Sequence, residues 1–124
     1  MGDVFLCPPE YIELAQHKMK RERGASSHAT YATLINFTDQ GIRTINETLD
    51  RAGRWEELGQ KHGVSFERLY WTLGSYDALA IFEAPDDEST TALMLEVGTC
   101  GNIRTTTLRA FDRDEVSGIL QRLG

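Results

Sequence analysis

The side chains best suited to chemistry in this sequence stand in and around a short Gly-x-Tyr-Asp motif. Tyr76 and Asp77 come two and three residues after Gly74, so a phenol hydroxyl and a carboxylate lie side by side after a turn. Such a pair can orient a small polar ligand, and it can exchange protons if the carboxylate is desolvated. Tyr31 and Arg109 add a second hydroxyl and a guanidinium, which binds anions well. These residues predict a polar pocket for a small anionic or zwitterionic molecule.

The same residues also have ordinary structural explanations. A glycine in a hairpin supplies positive φ, and an aspartate often accepts hydrogen bonds from the backbone of its own turn. Gly74 and Asp77 are therefore also typical of a plain turn. Arg109 has an acidic neighbour in Asp112, with which it could form a surface ion pair. The sequence leaves both interpretations open.

Other reactive residues do not indicate a metal or cofactor site. His17, His28 and His62 form no ligand cluster in the sequence. Glu10, Glu13 and His17 have a helical spacing compatible with a metal, but solvated charge on an amphipathic helix explains them better. No glycine-rich phosphate loop, Ser-His-Asp set or nucleophile elbow is present in the sequence. We expect neither a metal nor a cofactor.

Cysteine spacing and charge narrow the class of protein. Cys7 and Cys100 have neither zinc-ligand nor CxxC spacing. Cys7 is followed by a proline, and such a Cys-Pro pair occurs at some haem sites, but two residues are too short a motif to indicate haem. Residues 1–28 hold four basic and four acidic groups, so the net charge of −6 falls entirely on 29–124. An acidic body disfavours nucleic acid and anionic membranes as partners. Without a predicted secretion signal or membrane span, we expect a cytoplasmic protein with both thiols reduced.

The elements that must position the candidate residues follow from periodicity and turn signals. β-Branched and aromatic runs predict strands at 30–37, 68–73, 78–84 and 103–111. Helices are predicted after the first strand, after the third strand and at 112–123. The first of these helices runs toward Gly63 and has a predicted buried face made of Ile42, Ile45, Leu49, Ala52 and Trp55. The chain is long enough for one domain, 29–124, preceded by an N-terminal extension, 1–28, that contains a modest amphipathic helix.

This order of elements predicts an α+β, ferredoxin-like βαββαβ fold. Right-handed crossovers place the first and third strands in the centre, the fourth beside the first, and the second beside the third. The helix after the first strand and the helix after the third strand then cover one face of the sheet. Apolar residues occupy both alternating faces of the strands, so we expect the second face to pack on the same face of another subunit.

The predicted strand order also gives a location for the pocket. Tyr31 and Arg109 are expected at the end of the sheet that carries the hairpin of Asp77. Asn36 and Arg104 are expected at the opposite end. A site that combines Asp77 with Arg104 within one subunit is therefore not expected.

Several separated motifs resemble the GYD-domain family, whose Gly-x-Tyr-Asp pattern falls here on Gly74, Tyr76 and Asp77. The matching segments are 29–31, 33–41, 69–74, 74–77 and 101–105, and the resemblance covers roughly 29–116. It implies a dimeric α/β barrel and a family without an established biochemical role. The same turn and the Gly-x-Ile-Arg-Thr start of the last strand are also similar to the effector-binding domain of Lrp/AsnC-type regulators. That similarity implies binding of amino acids or similar small molecules between subunits.

We therefore interpret the chain as a GYD-type homo-oligomeric module that binds a small polar ligand at the hairpin end. One alternative is a small cofactor-independent enzyme of the dimeric α/β barrel type, with Tyr76 and Asp77 as the acid and base. Another is a structural assembly unit that uses its N-terminal helix to join subunits. The sequence leaves open whether the protein catalyses a reaction.

Overall fold

The computed structural model describes residues 28–124, and the helix predicted in the N-terminal extension lies outside them. The four strands follow one another with helices after the first, the third and the fourth strand, as predicted. The elements are β1 (Ala29–Phe37), α1 (Asp39–Arg43), a 3-10 turn (Ile45–Glu47), α2 (Thr48–Lys61), β2 (Ser65–Trp71), β3 (Ala78–Ala84), α3 (Asp87–Thr99), β4 (Ile103–Ala110), α4 (Arg113–Leu120) and a final 3-10 turn (Gln121–Leu123).

Within residues 28–124 the strands form one four-stranded antiparallel sheet in the order β2-β3-β1-β4. The central pair is β1 and β3, as predicted, and the ferredoxin-like α+β fold is confirmed. Tyr31 in β1 lies opposite Phe82 on one side and Arg109 on the other. The sheet register therefore places a tyrosine next to an arginine at the beginning of β1.

The core lies between one face of the sheet and the helices α2 and α3. Ile35 of β1 and Phe82 of β3 are buried there, since alternate residues of a strand point to the same face. Trp55 and Leu58 of α2 and Leu93 of α3 close the core from the helix side. Burial of side chains of this size contributes about 1.5–3 kcal/mol each.

The segment after β1 forms two helices, whereas the sequence predicts one. The α1 helix ends at Arg43, and α2 begins only at Thr48. Ile42 and Leu49 were expected on the buried face, and that expectation is wrong: both are exposed. Ala52 and Trp55, which follow the break, are buried as predicted.

The break between these helices is held by the side chain of Arg51, which is 2% exposed. Its guanidinium donates hydrogen bonds to Thr44 O at 3.0 Å, Thr44 Oγ1 at 2.8 Å and Gly41 O at 3.1 Å. The carbonyl of Gly41, left open where α1 ends, thereby gains a partner. Burial lowers the pKa of Arg51, and the charge of Glu47 opposes that shift. An arginine in the sequence predicts a surface position, so apolar periodicity could not reveal this role.

Strand β2 begins and ends earlier than the predicted 68–73. The register with β3 shifts between Phe66 and Arg68, so that Glu67 is an extra residue in a β-bulge. Phe66 and Leu69 are three positions apart, yet both pack against the core. Strict alternation would point the two side chains to opposite faces of the sheet. The extra residue in the bulge restores both to the core face.

The second face of the sheet is covered by neither α2 nor α3, and we call it the open face. Register places the following residues side by side on it: Ala32, Leu34, Tyr70, Leu79, Ile81 and Leu108. Tyr70 and Leu108 are about half exposed, and the other four are partly buried. Both faces of the sheet are thus apolar, as the sequence pattern predicts.

Cys100, directly after α3, differs from its prediction. It is half-buried and disulfide-bonded, and no second cysteine occurs within residues 28–124. The expectation that both thiols are reduced is therefore wrong for Cys100.

Candidate functional site

The turn between β2 and β3 contains three of the predicted site residues and is held by its own hydrogen bonds. The backbone N–H of Thr72 donates to Asp77 O at 2.9 Å, and Thr72 Oγ1 donates to Tyr76 O at 2.6 Å. Gly74 has φ 116°, a left-handed conformation that favours glycine. The position of Gly74 thus has a sufficient structural reason, and the Tyr76 side chain is partly exposed beside it.

The carboxylate of Asp77 joins this turn to the end of β1. Its Oδ2 accepts a hydrogen bond from the backbone N–H of Phe37 at 2.8 Å, and its own N–H donates to Ile35 O at 2.8 Å. Nearby, Asn36 Nδ2 donates to Ser75 O at 2.9 Å. Three hydrogen bonds therefore fasten the Gly-x-Tyr-Asp turn to the neighbouring strand.

The structure does not bring Tyr31 and Arg109 to this turn, so the predicted four-residue pocket is wrong as a single site. Because β1 and β3 are antiparallel, the end of β1 lies beside the start of β3, where the turn is. Tyr31, near the start of β1, is at the far end of the sheet. The same register pairs Asn36 with Arg104 at the hairpin end, opposite to the expectation.

At the far end, Tyr31 forms a polar pair that the sequence did not predict. Its side chain is almost fully buried, and its hydroxyl donates a hydrogen bond to the carboxylate of Asp87 in the first turn of α3. Burial, reinforced by this hydrogen bond, raises the pKa of Tyr31, so the phenol keeps its proton. Asp87 lies in the acidic first turn of α3, where a carboxylate is favourable for the helix dipole alone, so the sequence gives no sign of its hydrogen bond to Tyr31.

Arg109 lies on the other side of Tyr31 and makes several contacts. Its guanidinium carbon is 5.6 Å from the centre of the Tyr31 ring and 4.4 Å from that of Phe111. Nη1 donates to the carbonyls of Thr30 and Ala110, and Nη2 donates to Glu115 Oε2 at 3.2 Å. The acidic partner of Arg109 is thus Glu115, whereas Asp112, the alternative partner that the sequence offers, caps α4 with its side chain.

Asp87 and Arg109 line one open cleft of about 520 Å³ between α3 and β4. The hydroxyls of Thr105 and Thr107 also line it, together with Tyr31 and the apolar side chains Met94 and Leu95. Clefts of 300–1,000 Å³ that combine apolar walls with a few polar groups are typical of small-molecule sites. We refer to this site as the α3–β4 cleft.

Two kinds of feature are absent from residues 28–124. No group of three or more His, Cys, Asp or Glu side chains in this part of the chain is arranged to hold a metal ion. No helix among the same residues has the length and apolar character needed to cross a membrane.

Comparison with known proteins identifies a family match that includes residues of all four strands of the sheet, and a similar protein. The sequence matches the family model described as "GYD domain" over residues 31–120. A protein of Thermus thermophilus, "Glutamine synthetase and cystathionine beta-lyase binding protein", is 30% identical over 95 residues. That alignment covers 76% of this chain and 97% of the Thermus protein. No solved structure matches the chain.

Proposed function

This chain belongs to the GYD domain family, and from that membership we propose that it is a homo-oligomeric module whose function is to bind other proteins. The Thermus relative is named for binding glutamine synthetase and cystathionine beta-lyase, and this chain aligns with 97% of its length. We propose these two enzymes as the partners. The resemblance to the GYD family that the sequence motifs indicate is confirmed.

The apolar open face is the observation that carries this proposal. Leu34 lies opposite Leu79, and Ala32 lies between Ile81 and Leu108, so the apolar side chains form a continuous strip across three strands. Isolated apolar residues are normal on a protein surface, whereas a contiguous patch indicates an interaction site. A second copy of the chain fits this face best, because a two-fold axis pairs identical patches.

The partner enzymes would then bind elsewhere, and the hairpin end offers a surface with suitable chemistry. Leu73 is fully exposed at the turn, and Trp71 and Tyr76 are partly exposed beside it. The Trp71 indole is oriented by a hydrogen bond from Nε1 to Thr48 Oγ1 at 3.0 Å. Rigid aromatic side chains of this kind are enriched among residues that dominate binding energy in interfaces. We name Trp71, Leu73 and Tyr76 the hairpin patch.

Self-association is tested by Ile81→Glu, which places a charge in the middle of the open face. Light scattering after gel filtration should show a dimer or larger oligomer for the wild type and a monomer for the variant. Leu49→Glu is the matched control, because Leu49 is equally apolar but exposed on the helix side. A monomeric wild type at micromolar concentration would contradict the proposal.

Partner binding is tested by surface plasmon resonance with immobilised glutamine synthetase and cystathionine beta-lyase from the same organism. Leu73→Glu should abolish binding of at least one enzyme while leaving the oligomer intact. Ile81→Glu separates the two surfaces, since it should change the oligomer and spare the hairpin patch. Absence of binding of both enzymes by the wild type would contradict the protein-binding role.

The residues of the predicted ligand site lie in two separate places. Tyr76 and Asp77 at the hairpin end remain candidates for contact with a small polar molecule, with Gly74 shaping the turn. Tyr31 and Arg109 belong to the α3–β4 cleft. A cytoplasmic location stays a prediction.

A further inference from the structure

The α3–β4 cleft has charges of opposite sign on its two sides. Asp87 contributes a carboxylate from the first turn of α3, and Arg109 contributes a guanidinium from β4. Both contact the same buried residue, Tyr31, which fixes them relative to each other. The cleft lies on the helix side of the sheet, so it does not overlap with the open face.

The floor and wall of the cleft differ in chemistry. Thr105 and Thr107 line the sheet side, and Thr107 Oγ1 is hydrogen-bonded to Thr33 Oγ1 at 3.0 Å, so the sheet side of the cleft is polar. Met94 and Leu95 form the wall on the helix side, and Leu95 is largely exposed. A molecule that fills this space needs polar groups along one edge and an apolar group along the other.

We propose that the α3–β4 cleft binds a small zwitterion, with its ammonium group at Asp87, its carboxylate at Arg109 and an apolar side chain against Met94 and Leu95. An α-amino acid is the simplest molecule with this arrangement. Charge-assisted hydrogen bonds at both ends orient it, since an arginine fork matches a carboxylate and a carboxylate accepts from an ammonium. This site is independent of the protein-binding function proposed above and goes beyond it.

The Tyr31 hydroxyl has a defined part in this site. It donates to Asp87 and holds that carboxylate at the rim of the cleft, where an ammonium ion can reach it. The raised pKa of Tyr31, caused mainly by burial, keeps the donor proton in place at neutral pH. Tyr31 is thus a positioning residue.

The carboxylate of Glu115 forms an ion pair with the guanidinium of Arg109, as the ligand carboxylate would. Its Oε2 lies 3.2 Å from Arg109 Nη2, while its Oε1 accepts from the backbone N–H of Asp112. Both partners of the ion pair are about a third exposed, so water screens it and little free energy is lost when it opens. The ligand and Glu115 therefore compete for the same guanidinium.

The first experiment uses only the wild-type protein and three probes measured by titration calorimetry. L-Methionine carries both charges, N-acetyl-L-methionine lacks the ammonium, and L-methioninamide lacks the carboxylate. L-Methionine should bind, and each singly charged probe should bind about tenfold or more weakly, because one charge-assisted contact is lost. Equal binding of the three probes, or no binding of L-methionine at millimolar concentration, overturns the proposal.

The second experiment uses variants whose effects have opposite signs. Arg109→Gln should weaken L-methionine binding about 10- to 100-fold and leave L-methioninamide binding unchanged. Glu115→Gln should tighten L-methionine binding about two- to fivefold, because the competing carboxylate is gone while a glutamine can still serve the capping box. Weaker binding in Glu115→Gln would contradict the proposed competition.

Matched controls come from the same elements. Arg104→Gln removes an arginine from β4 on the opposite face, and Glu88→Gln removes the acid next to Asp87 without touching the cleft. Neither should change binding of any probe. If the Arg109 variant does not fold, chemical-shift changes of the Met94 methyl in the wild type report the site directly, and an unshifted Met94 signal at saturating L-methionine overturns it. These readouts do not depend on oligomer size or on partner enzymes.

Discussion

The carboxylate of Asp77 acts on the backbone of a different strand. It accepts from the N–H of Phe37, which lies near the end of β1 and has no strand partner on the side of β3, because that pairing stops at Ile35. A buried N–H without an acceptor costs about 1–3 kcal/mol, so one side chain here completes the hydrogen bonding of the central strand. The Gly-x-Tyr-Asp spacing is explained by this bond as far as Gly74 and Asp77 are concerned.

We predict that Asp77→Ala lowers the free energy of unfolding by about 1–3 kcal/mol, because the N–H of Phe37 loses its acceptor. Tyr76→Phe, at the adjacent and more exposed position, should change it by about 0.5 kcal/mol or less. Urea titration followed by tryptophan fluorescence measures both. An equally large loss in Tyr76→Phe would show that the phenol hydroxyl has a structural partner.

Glu96 of α3 joins two helices through an ion-pair cluster with the end of α2. Its carboxylate is 2.7 Å from His62 Nε2 and 3.0 Å from Lys61 Nζ. Although burial opposes the charged form, hydrogen bonds from His62 and Lys61 lower the pKa of Glu96 below its ordinary value of 4.5. A carboxyl with a lowered pKa stabilises the folded state above the unfolded pKa, and this contribution is lost as pH falls through the folded pKa.

We therefore predict that Glu96→Gln makes stability less dependent on pH on the acid side. The wild type should lose stability as the pH is lowered through and below 4.5, whereas the variant should start lower at neutral pH and lose less. Urea unfolding at a series of pH values measures the difference. Glu67→Gln, at the exposed bulge, should follow the wild-type curve, and parallel curves for wild type and Glu96→Gln would refute the role of the cluster.

The α1 helix depends on a close approach that only glycine permits. A Cβ on Gly41 would stand 2.0 Å from the carbonyl oxygen of Asn102, which is backbone and cannot swing away. The N–H of Thr38 donates to that same oxygen at 3.0 Å, so α1 is joined to the loop before β4. By contrast, a Cβ on Gly53 in the middle of α2 would meet nothing within 4 Å.

This pair of glycines gives a prediction with opposite signs. Gly41→Ala should lower the free energy of unfolding by about 1–3 kcal/mol, because α1 must move away from Asn102. Gly53→Ala should raise it by about 0.4–1 kcal/mol, since alanine lowers the entropy of the unfolded chain in an open helical position. Thermal and urea unfolding compare the two variants. A neutral Gly41→Ala would show that α1 packs less closely than the distance indicates.

The helices and strands were predicted well where local pattern and packing agree. Strand β3 has the predicted bounds of 78–84, and α3 follows it as predicted, with Leu93 and Val97 buried one helical turn apart. The break after α1 was missed because its causes, Arg51 and the contact of Gly41 with Asn102, connect residues that no local window compares. Likewise, the bulge in β2 is set by pairing with β3 and has no signature in β2 alone.

At the scale of the whole molecule, the order of the strands in the sheet was predicted correctly. The prediction of which residues lie at the hairpin end of the sheet was wrong. Order follows from the sequence of elements and crossover rules. The end of the sheet at which Tyr31 lies follows from strand direction. The last residues of β1 lie beside the turn between β2 and β3, so Tyr31, near the start of β1, lies far from Asp77. Tyr31 and Arg109 were expected at the hairpin end, and they lie instead in the α3–β4 cleft, where Asp87 joins them by a contact across 56 positions that no local pattern reveals.

We predict that deletion of residues 1–27 leaves a folded domain, because β1 to α4 contain their own core and the whole family match. The shortened chain, compared with full-length protein in the presence of reductant because Cys100 is disulfide-bonded, should unfold cooperatively in urea. A lower oligomeric state with unchanged cooperativity would assign the extension to assembly. Insoluble or non-cooperative protein would show that it belongs to the domain.

The extra residue at Glu67 leaves the sheet of residues 28–124 with two unequal outer edges. Strand β4 presents a regular edge through Ala110, whereas β2 is interrupted by the bulge and carries a charge at that point. Growth of a fibre by strand addition requires each molecule to accept a neighbour at both edges. With one edge interrupted, strand addition ends at two molecules instead of propagating, so an apolar sheet can associate through its face without the risk of polymerising through its edges.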